Sequence, residues 1–346
     1  LKVIHIGGTN GKGSTIAFLK NMLEKLGLRV GVFSSPYLIH YTDQISINGE
    51  SIPEARLETL MADYQSLLEG EAAANLQGTT EFEIITAIAY DYFASEQVDV
   101  AIMEVGMGGL LDSTNVCQPI LTGITTIGLD HVALLGDTLE AIAEQKAGIF
   151  KAGKKAVIAK LPSEARLIFQ KKADSLAVDL YQAGQDFSML NGDFSSSLTN
   201  LSQLKIGLEG AYQQENAALA LQTFLLFMGE GKEAVDEQVV RQALEKTHWA
   251  GRLERIRPQI YLDGAHNLPA LTRLVEFIKE KEQEGYRPQI LFGALKRKDY
   301  QGMLGYLTEN LPQVELKVTG FDYQGALDER DVTGYDIVSS YREFIS

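Results

Sequence analysis

Cysteine is almost missing from this 346-residue chain: Cys117 is the only one. A single thiol excludes an internal disulfide and suits a reducing cytosol, so the cytoplasm is the expected location. Positive charge is also short, with 31 Lys and Arg against 46 Asp and Glu and a formal net charge of −15. That balance excludes a general polyanion binder, and no nucleic-acid partner is expected. A bound nucleotide is still allowed, because metal ions and backbone N–H groups can carry phosphates. No apolar run reaches the length that spans a bilayer, so no membrane partner is expected. The first residues lack the layout of a signal peptide. Tandem repeats and low-complexity tracts are absent too.

What is present is an ordinary globular composition, 45% hydrophobic and 22% charged, in a chain long enough for two domains. Strands and helices alternate through the first half. Val3 to Ile6, Arg29 to Phe33, Val98 to Val105, Ile120 to Ile127 and Ala156 to Ala159 read as strands. A helix opening near Ser14, Phe82 to Phe93 and Thr138 to Phe150 read as helices. This alternation implies a mostly parallel α/β sheet covered on both faces. Asp186 to Leu208 is rich in Ser, Asn and Gly and reads as small strands or loops inserted before a helix at Tyr212 to Phe227. A second alternation follows Gly251: strand Ile260–Leu262, helix Leu268–Lys281, strand Ile290–Phe292, helix Tyr300–Leu311 and strand Val314–Val318. The expected division is 1–247 for a nucleotide-binding domain and 248–346 for a smaller Rossmann-like α/β domain. The chain opens as a strand entered midway and stops abruptly at Ser346, so both ends are expected to be incomplete.

Gly7-Gly8-Thr9-Asn10-Gly11-Lys12-Gly13-Ser14 follows a strand and opens a helix, the setting of a phosphate-binding loop. Its glycines let backbone N–H groups turn toward anionic oxygens, the helix N-terminus adds partial positive charge, and Lys12 can reach β- and γ-phosphates. The bland alternative is a glycine-rich turn with an incidental lysine. One departure stands out. In the common nucleotide loop Ser or Thr directly follows the lysine, whereas here Gly13 intervenes.

Glu104 ends a buried apolar strand at the sheet edge where α/β proteins place ligands. A carboxylate there is costly unless paired, and Mg²⁺ beside phosphate is a natural partner. His131 follows a strand and could ligate a second divalent ion as a neutral imidazole; a loop histidine bonded to backbone is the alternative. Lys146 reads from composition alone as a surface helix lysine. Asp263 ends a strand and could cap the helix that follows, and His266 could be a satisfied first-turn residue.

Gly-Thr-Asn-Gly-Lys-Gly-Ser resembles the loop of the folylpolyglutamate and dihydrofolate synthases within the wider Mur ligase family. Further stretches resemble the same family in the same order: Ser34-Ser35-Pro36-Tyr37-Leu38, Thr80-Glu81-Phe82-Glu83, Glu104 to Gly109 with Asp112 to Val116, Leu129-Asp130-His131, Lys146 to Ile149, Asp263 to Asn267 and Lys298-Asp299. The resemblance implies an N-terminal P-loop ATPase domain, a smaller C-terminal domain, and an ATP- and Mg²⁺-dependent ligase. Such an enzyme adds L-glutamate to a reduced folate, or to dihydropteroate, through an acyl phosphate. It implies ATP contacts from Thr9, Asn10, Gly11, Lys12, Gly13, Ser14, Asn216, Arg252 and Asp263. It implies metal contacts from Ser35, Glu104, His131 and a carbamylated Lys146. Substrate contacts fall to Pro36, Phe82 and Glu83, and catalytic roles to Lys12, Lys146, Asp263 and His266. A monomer is expected. Leu110 and Gln44 stand where many members carry arginine, and Leu268 where proline is usual, with Pro269 one later. The rivals are a Mur-type ligase acting on a cell-wall precursor and a P-loop ATPase without ligase activity.

Overall fold

The computed structural model describes residues 1–37, 39–70, 76–229, 236–328, 330–339 and 341–344. Leu38, the last residue of the Ser34–Leu38 stretch, lies outside them. The chain divides into two compact units: Leu1–Leu208 with Gln213–Ala250, and Glu209–Tyr212 with Gly251–Ser346.

In the first unit the order is β1 (Val3–Gly7), α1 (Lys12–Lys25), β2 (Val30–Phe33), β3 (Ile45–Ile47), β4 (Glu50–Ser51), α2 (Glu54–Glu69), α3 (Glu81–Ser95) and β5 (Val100–Glu104). Then come β6 (Leu121–Ile124), α4 (Val132–Leu135), α5 (Leu139–Ala147), β7 (Lys155–Ile158), α6 (Ser163–Leu176), β8 (Asp179–Gln182), β9 (Phe187–Leu190), β10 (Asp193–Ser196), β11 (Asn200–Leu201), α7 (Gln213–Gly229) and α8 (Glu237–Glu245). One sheet runs β4-β3-β2-β5-β1-β6-β7-β8. It is parallel from β2 to β8, with β3 and β4 added antiparallel at one edge.

The inner strands are buried and mostly apolar because both faces are covered, with His5 of β1, Thr122 of β6 and Glu104 at the end of β5 as the buried polar residues. Successive side chains point to opposite faces. Accordingly Val100 and Ile102 pack with α1 and α7, while Ala101 and Met103 pack with α3. On the same logic Val157 joins the α7 side, and Ala156 and Ile158 join α5 and α6. Helix α7 buries twelve of its 17 residues, the pattern of a helix enclosed by its own domain. Of the two readings of the inserted segment, strands or loops, residues 187–201 take the first, an antiparallel sheet ordered β11-β10-β9.

Helix α3 starts at a capping box: Thr80 Oγ1 accepts from Glu83 N, and the Glu83 carboxylate accepts from Thr80 N. Helix α1 opens at Lys12, two residues before the position expected from sequence, because left-handed Gly11 (φ 88°) is its N-cap.

The second unit holds β12 (Glu254–Arg257), β13 (Ile260–Leu262), α9 (Leu268–Gln283), β14 (Gln289–Phe292), α10 (Tyr300–Asn310), β15 (Glu315–Thr319), β16 (Asp336–Val338) and α11 (Tyr341–Phe344). Strands β14, β15 and β16 are parallel neighbours. Strand β13 instead pairs antiparallel with β12, a strand hidden from sequence by its charged composition, Glu-Arg-Ile-Arg.

Phe224 is fully buried where α7 meets the sheet. Phe224→Ala should lower unfolding free energy by about 3–5 kcal/mol through lost burial and a residual cavity. The check is a lower urea midpoint at unchanged slope. A change below about 1 kcal/mol would mean the site collapses without a cavity, against the packing described.

Candidate active site

Strand β1 is central, and its register sets the site. Ile6 lies beside Glu104 of β5, and Gly7 beside Ile124 of β6. The phosphate loop therefore leaves the sheet between a carboxylate and the β6 exit segment. Among the loop's own residues, Gly8 (φ 138°) and Gly11 hold conformations that side chains rarely adopt. A Cβ on Gly8 would overlap Thr125 Oγ1, and one on Gly11 would overlap Asn216 Oδ1.

Two backbone donors of the loop are engaged internally. Thr9 N donates to Thr126 O at 2.7 Å, and Asn10 N donates to Thr126 Oγ1 at 2.9 Å. The amides left to meet an anion are those at the start of α1. There Lys12, Gly13 and Ser14 lie in the first turn, where helix geometry supplies no acceptor. No side chain caps this end, and no acidic residue lies in its first turn. Gly13 has a second reason to be glycine, since a Cβ there would lie 2.5 Å from Trp249 Nε1.

Lys12 and Lys146 meet at one atom. Lys12 Nζ donates to Gly8 O at 3.3 Å and to Thr9 O at 3.2 Å, and Lys146 Nζ donates to Gly8 O at 3.0 Å. Lys146 is only 5% exposed, so the reading as a surface lysine is corrected: the last turn of α5 faces inward. Burial, and then the neighbouring Lys12 charge, push the Lys146 ammonium down to about 7, against opposing pulls from Asp130 and Asp112. Glu104, also 5% exposed, balances this corner. Its Oε1 is 3.9 Å from Lys12 Nζ, and its Oε2 accepts from Ser35 N at 3.3 Å. Ser35, Glu104, Lys12 and Lys146 are thus brought together, and Asn216 joins them through Gly11.

His131 stands at the N-cap of α4 in a left-handed conformation, its Nε2 3.9 Å from Asp130 Oδ1. Among the described residues no three His, Cys, Asp or Glu side chains converge as a metal cluster. An ion here would draw on hydroxyl, phosphate or water oxygens beside Glu104, which is how Mg²⁺ is commonly held. The donor set fits that ion.

The Asp112–Val116 stretch is a brace. Asp112 Oδ2 accepts from Met107 N at 2.8 Å, and Oδ1 from Thr114 N at 3.0 Å. Thr114 Oγ1 in turn lies 2.8 Å from Nε2 of His5, a β1 residue whose burial pushes its pKa down to about 3. Phe82 packs under Gly106, and its ring sits 5.8 Å from that of Phe33. Glu83 is exposed, with its carboxylate in the α3 cap. Pro36 follows a cis peptide.

In the second unit, Asp263 accepts from Leu253 N at 2.9 Å and from Ala265 N at 2.8 Å. It does not cap α9; Asn267 does, accepting from Ala270 N at 3.0 Å. Pro269 sits in the first turn of that helix, where proline is tolerated. His266 Nδ1 lies 2.9 Å from Gly264 O. Arg252 is half-buried beside Gly264. Asp299 caps α10. Sequence reasoning missed Thr125 and Thr126 as site residues. Two threonines closing an apolar strand read as strand formers and gave no signal.

Residues 6–224 match the Mur ligase middle domain. The chain is 37% identical to the dihydrofolate synthase/folylpolyglutamate synthase of Bacillus subtilis, over 88% of this chain and 73% of that protein. It is 37% identical to the folylpolyglutamate synthase of Lacticaseibacillus casei, over 91% of this chain and 76% of that protein. A solved folylpolyglutamate synthase complex with AMPPCP and folate superposes with a TM-score of 0.85 at 34% identity, covering 97% of this chain and 86% of its own.

The buried lysine predicts a pH dependence. Its folded pKa of about 7 lies below the unfolded value of 10.5. Between these the unfolded chain binds a proton that the folded chain does not, so the Lys146 contribution to stability rises with pH from about 7 to about 10.5. Below that window the burial penalty is fully present. In CO₂-free buffer the stability of wild type relative to Lys146→Met should therefore climb across the window in urea unfolding. A flat difference would show an ordinary lysine.

Proposed function

The chain belongs to the Mur ligase family, to its folylpolyglutamate synthases, and from that premise we propose that it joins L-glutamate to the γ-carboxylate of a (poly)glutamylated reduced folate, with ATP converted to ADP and phosphate. Dihydropteroate is the second candidate acceptor. The observation that carries this reading is the convergence of Lys12 and Lys146 on the Gly8 carbonyl beside Glu104, at the uncapped start of α1.

The reaction needs two substitutions. A substrate carboxylate oxygen bonds to the γ-phosphorus as the bond to ADP breaks. The glutamate nitrogen then bonds to the acyl carbon as phosphate leaves with its bonding pair, and the nitrogen releases a proton. In this reading the first amides of α1 bind the phosphates, and Lys12 stabilises the charge that spreads over the transferred group. Gly11 and Gly13 let that backbone approach closely, and Asn216 sits against it on the nucleotide side. Mg²⁺, when bound, screens the two reacting anions from each other and acts as a Lewis acid. Glu104 and Ser35 would hold it, with His131 assigned to a second ion nearby.

Lys146 has a distinct part. An amine held near neutrality at pH 7 is nucleophilic. It can add to CO₂, forming an N–C bond and releasing a proton, which replaces a cation by a carbamate anion suited to Mg²⁺. Pro36, Phe82 and Glu83 are assigned to the folate. Arg252 is assigned to the nucleotide, and Asp263 and His266 to nucleotide and glutamate. A monomer acting in the cytoplasm completes the proposal; no described helix is long and apolar enough to cross a membrane.

Wild type should release ADP and phosphate only with both glutamate and a reduced folate present, in step with incorporation of labelled glutamate. Lys12→Ala should lower that turnover by about 100- to 1000-fold. ADP released without a new amide would sink the ligase reading in favour of an ATPase.

A further inference from the structure

The phosphate loop is fastened to a second loop by hydroxyl groups, and those of Thr125 and Thr126 are used by none of the roles above. Thr126 Oγ1 accepts from Asn10 N at 2.9 Å and lies 3.0 Å from Asn10 O, to which it donates. One hydroxyl has one proton and two lone pairs, so both bonds can exist together. Thr125 Oγ1 donates to the same Asn10 O at 2.6 Å. Its single proton cannot also serve Gly7 O, which lies farther away at 3.3 Å. One residue earlier, Thr9 N donates to Thr126 O, and Thr9 Oγ1 both accepts from Gly128 N at 3.1 Å and donates to Gly128 O at 3.2 Å. Residues 9–10 are thereby laced to residues 125–128. The laced strip runs on, two residues later, into Asp130 and His131.

We propose that Thr126 is a positioning residue for nucleotide binding, clamping both backbone groups of Asn10 and so fixing where the first amides of α1 point. Asn10 is the residue just before the left-handed N-cap Gly11. A change in its backbone angles would swing the start of the helix relative to β1. Both of its main-chain groups are committed to the strip, so the loop has one arrangement before any ligand arrives. Preorganised donors are what make a phosphate site effective. Thr126 is half-buried at the sheet tip, outside the apolar clusters that hold the unit together. Removing its hydroxyl therefore acts on the loop more than on the core.

The inference rests on the reading of this loop as a triphosphate site, and the experiment separates the two. Trp249, the chain's one tryptophan, packs on Gly13, so its fluorescence can follow titration with a nonhydrolysable ATP analogue. Thr126→Val keeps the shape and deletes the hydroxyl; Thr126→Ser keeps the hydroxyl. Thr126→Val should raise the analogue's Kd and the KM for ATP by about tenfold or more, as expected when a paired backbone group loses its partner. Its kcat at saturating ATP should move less than threefold. Thr126→Ser should stay within about threefold of wild type in Kd and KM, and both variants should melt within a few degrees of it. If Thr126→Val unfolds, Thr126→Ala, which also deletes the hydroxyl, takes its place: weaker binding than Thr126→Ser supports the clamp, and wild-type affinity overturns it. Thr126→Val binding like wild type overturns the inference and leaves the ligase reading intact. Equal weakening by Val and Ser also overturns it, since the hydroxyl would not be the cause. A wild-type chain that binds no analogue overturns both.

Discussion

Two lysines sharing one carbonyl is the constraint from which the rest of the first unit follows. Ammonium groups repel, and one of this pair is buried, so their meeting at Gly8 O is unfavourable unless something offsets it. Three features do. Glu104 supplies a carboxylate at the tip of the adjacent strand, 3.9 Å from Lys12. Asp130 and Asp112 pull the Lys146 pKa up, but less than burial and Lys12 push it down. The amine can therefore shed its proton near pH 7 and end the repulsion. All of this requires β1 to run between β5 and β6, which is the order the sheet has. It also requires Gly8, because no other residue leaves room for Thr125.

The same corner shows what a sequence can and cannot disclose. The loop glycines and Lys12 were legible because their spacing serves a local demand, a turn that aims amides at an anion. Glu104 was legible because an acid closing an apolar strand is costly without a partner. Lys146 was not legible from its surroundings. Helix α5 buries Ile142, Ala143, Lys146 and Ala147 on one side, and a lysine on that face looks like any other in Glu-Gln-Lys. Only the family resemblance singled it out. Asn216 is concealed differently: in a helix buried nearly all round, no polar face marks which side meets the loop. Thr125 and Thr126 were missed because their work lies in pairing with Asn10, 115 and 116 positions away, which no local pattern encodes.

The strand-and-helix frame was read more fully than its margins. The inner strands β1, β5, β6 and β7 announce themselves by short, mostly apolar runs. The short additions β3, β4 and β12 do not: β4 and β12 sit at edges where polar residues are admissible, and β3 is only three residues long. The start of α1 fell two residues from its expected place for a related reason. Helical periodicity begins only where side chains reach the core, at Ile16, whereas the backbone turns helical as soon as Gly11 permits.

Gly13 shows how one packing demand can shape a motif. Its presence between Lys12 and Ser14 separates this loop from the common nucleotide loop, and phosphate chemistry alone does not explain it. A Cβ at that position would lie 2.5 Å from Trp249 Nε1 and 2.9 Å from its Cε2, closer than carbon approaches a ring. The indole is a rigid plane that cannot yield as a flexible side chain would. Either the glycine or the tryptophan must give way. Trp249 belongs to the first unit and packs against its main core, one residue from that unit's end. The glycine thus records the docking of the segment that closes the unit onto the first turn of α1. The residue type between the lysine and the serine is set by an aromatic ring.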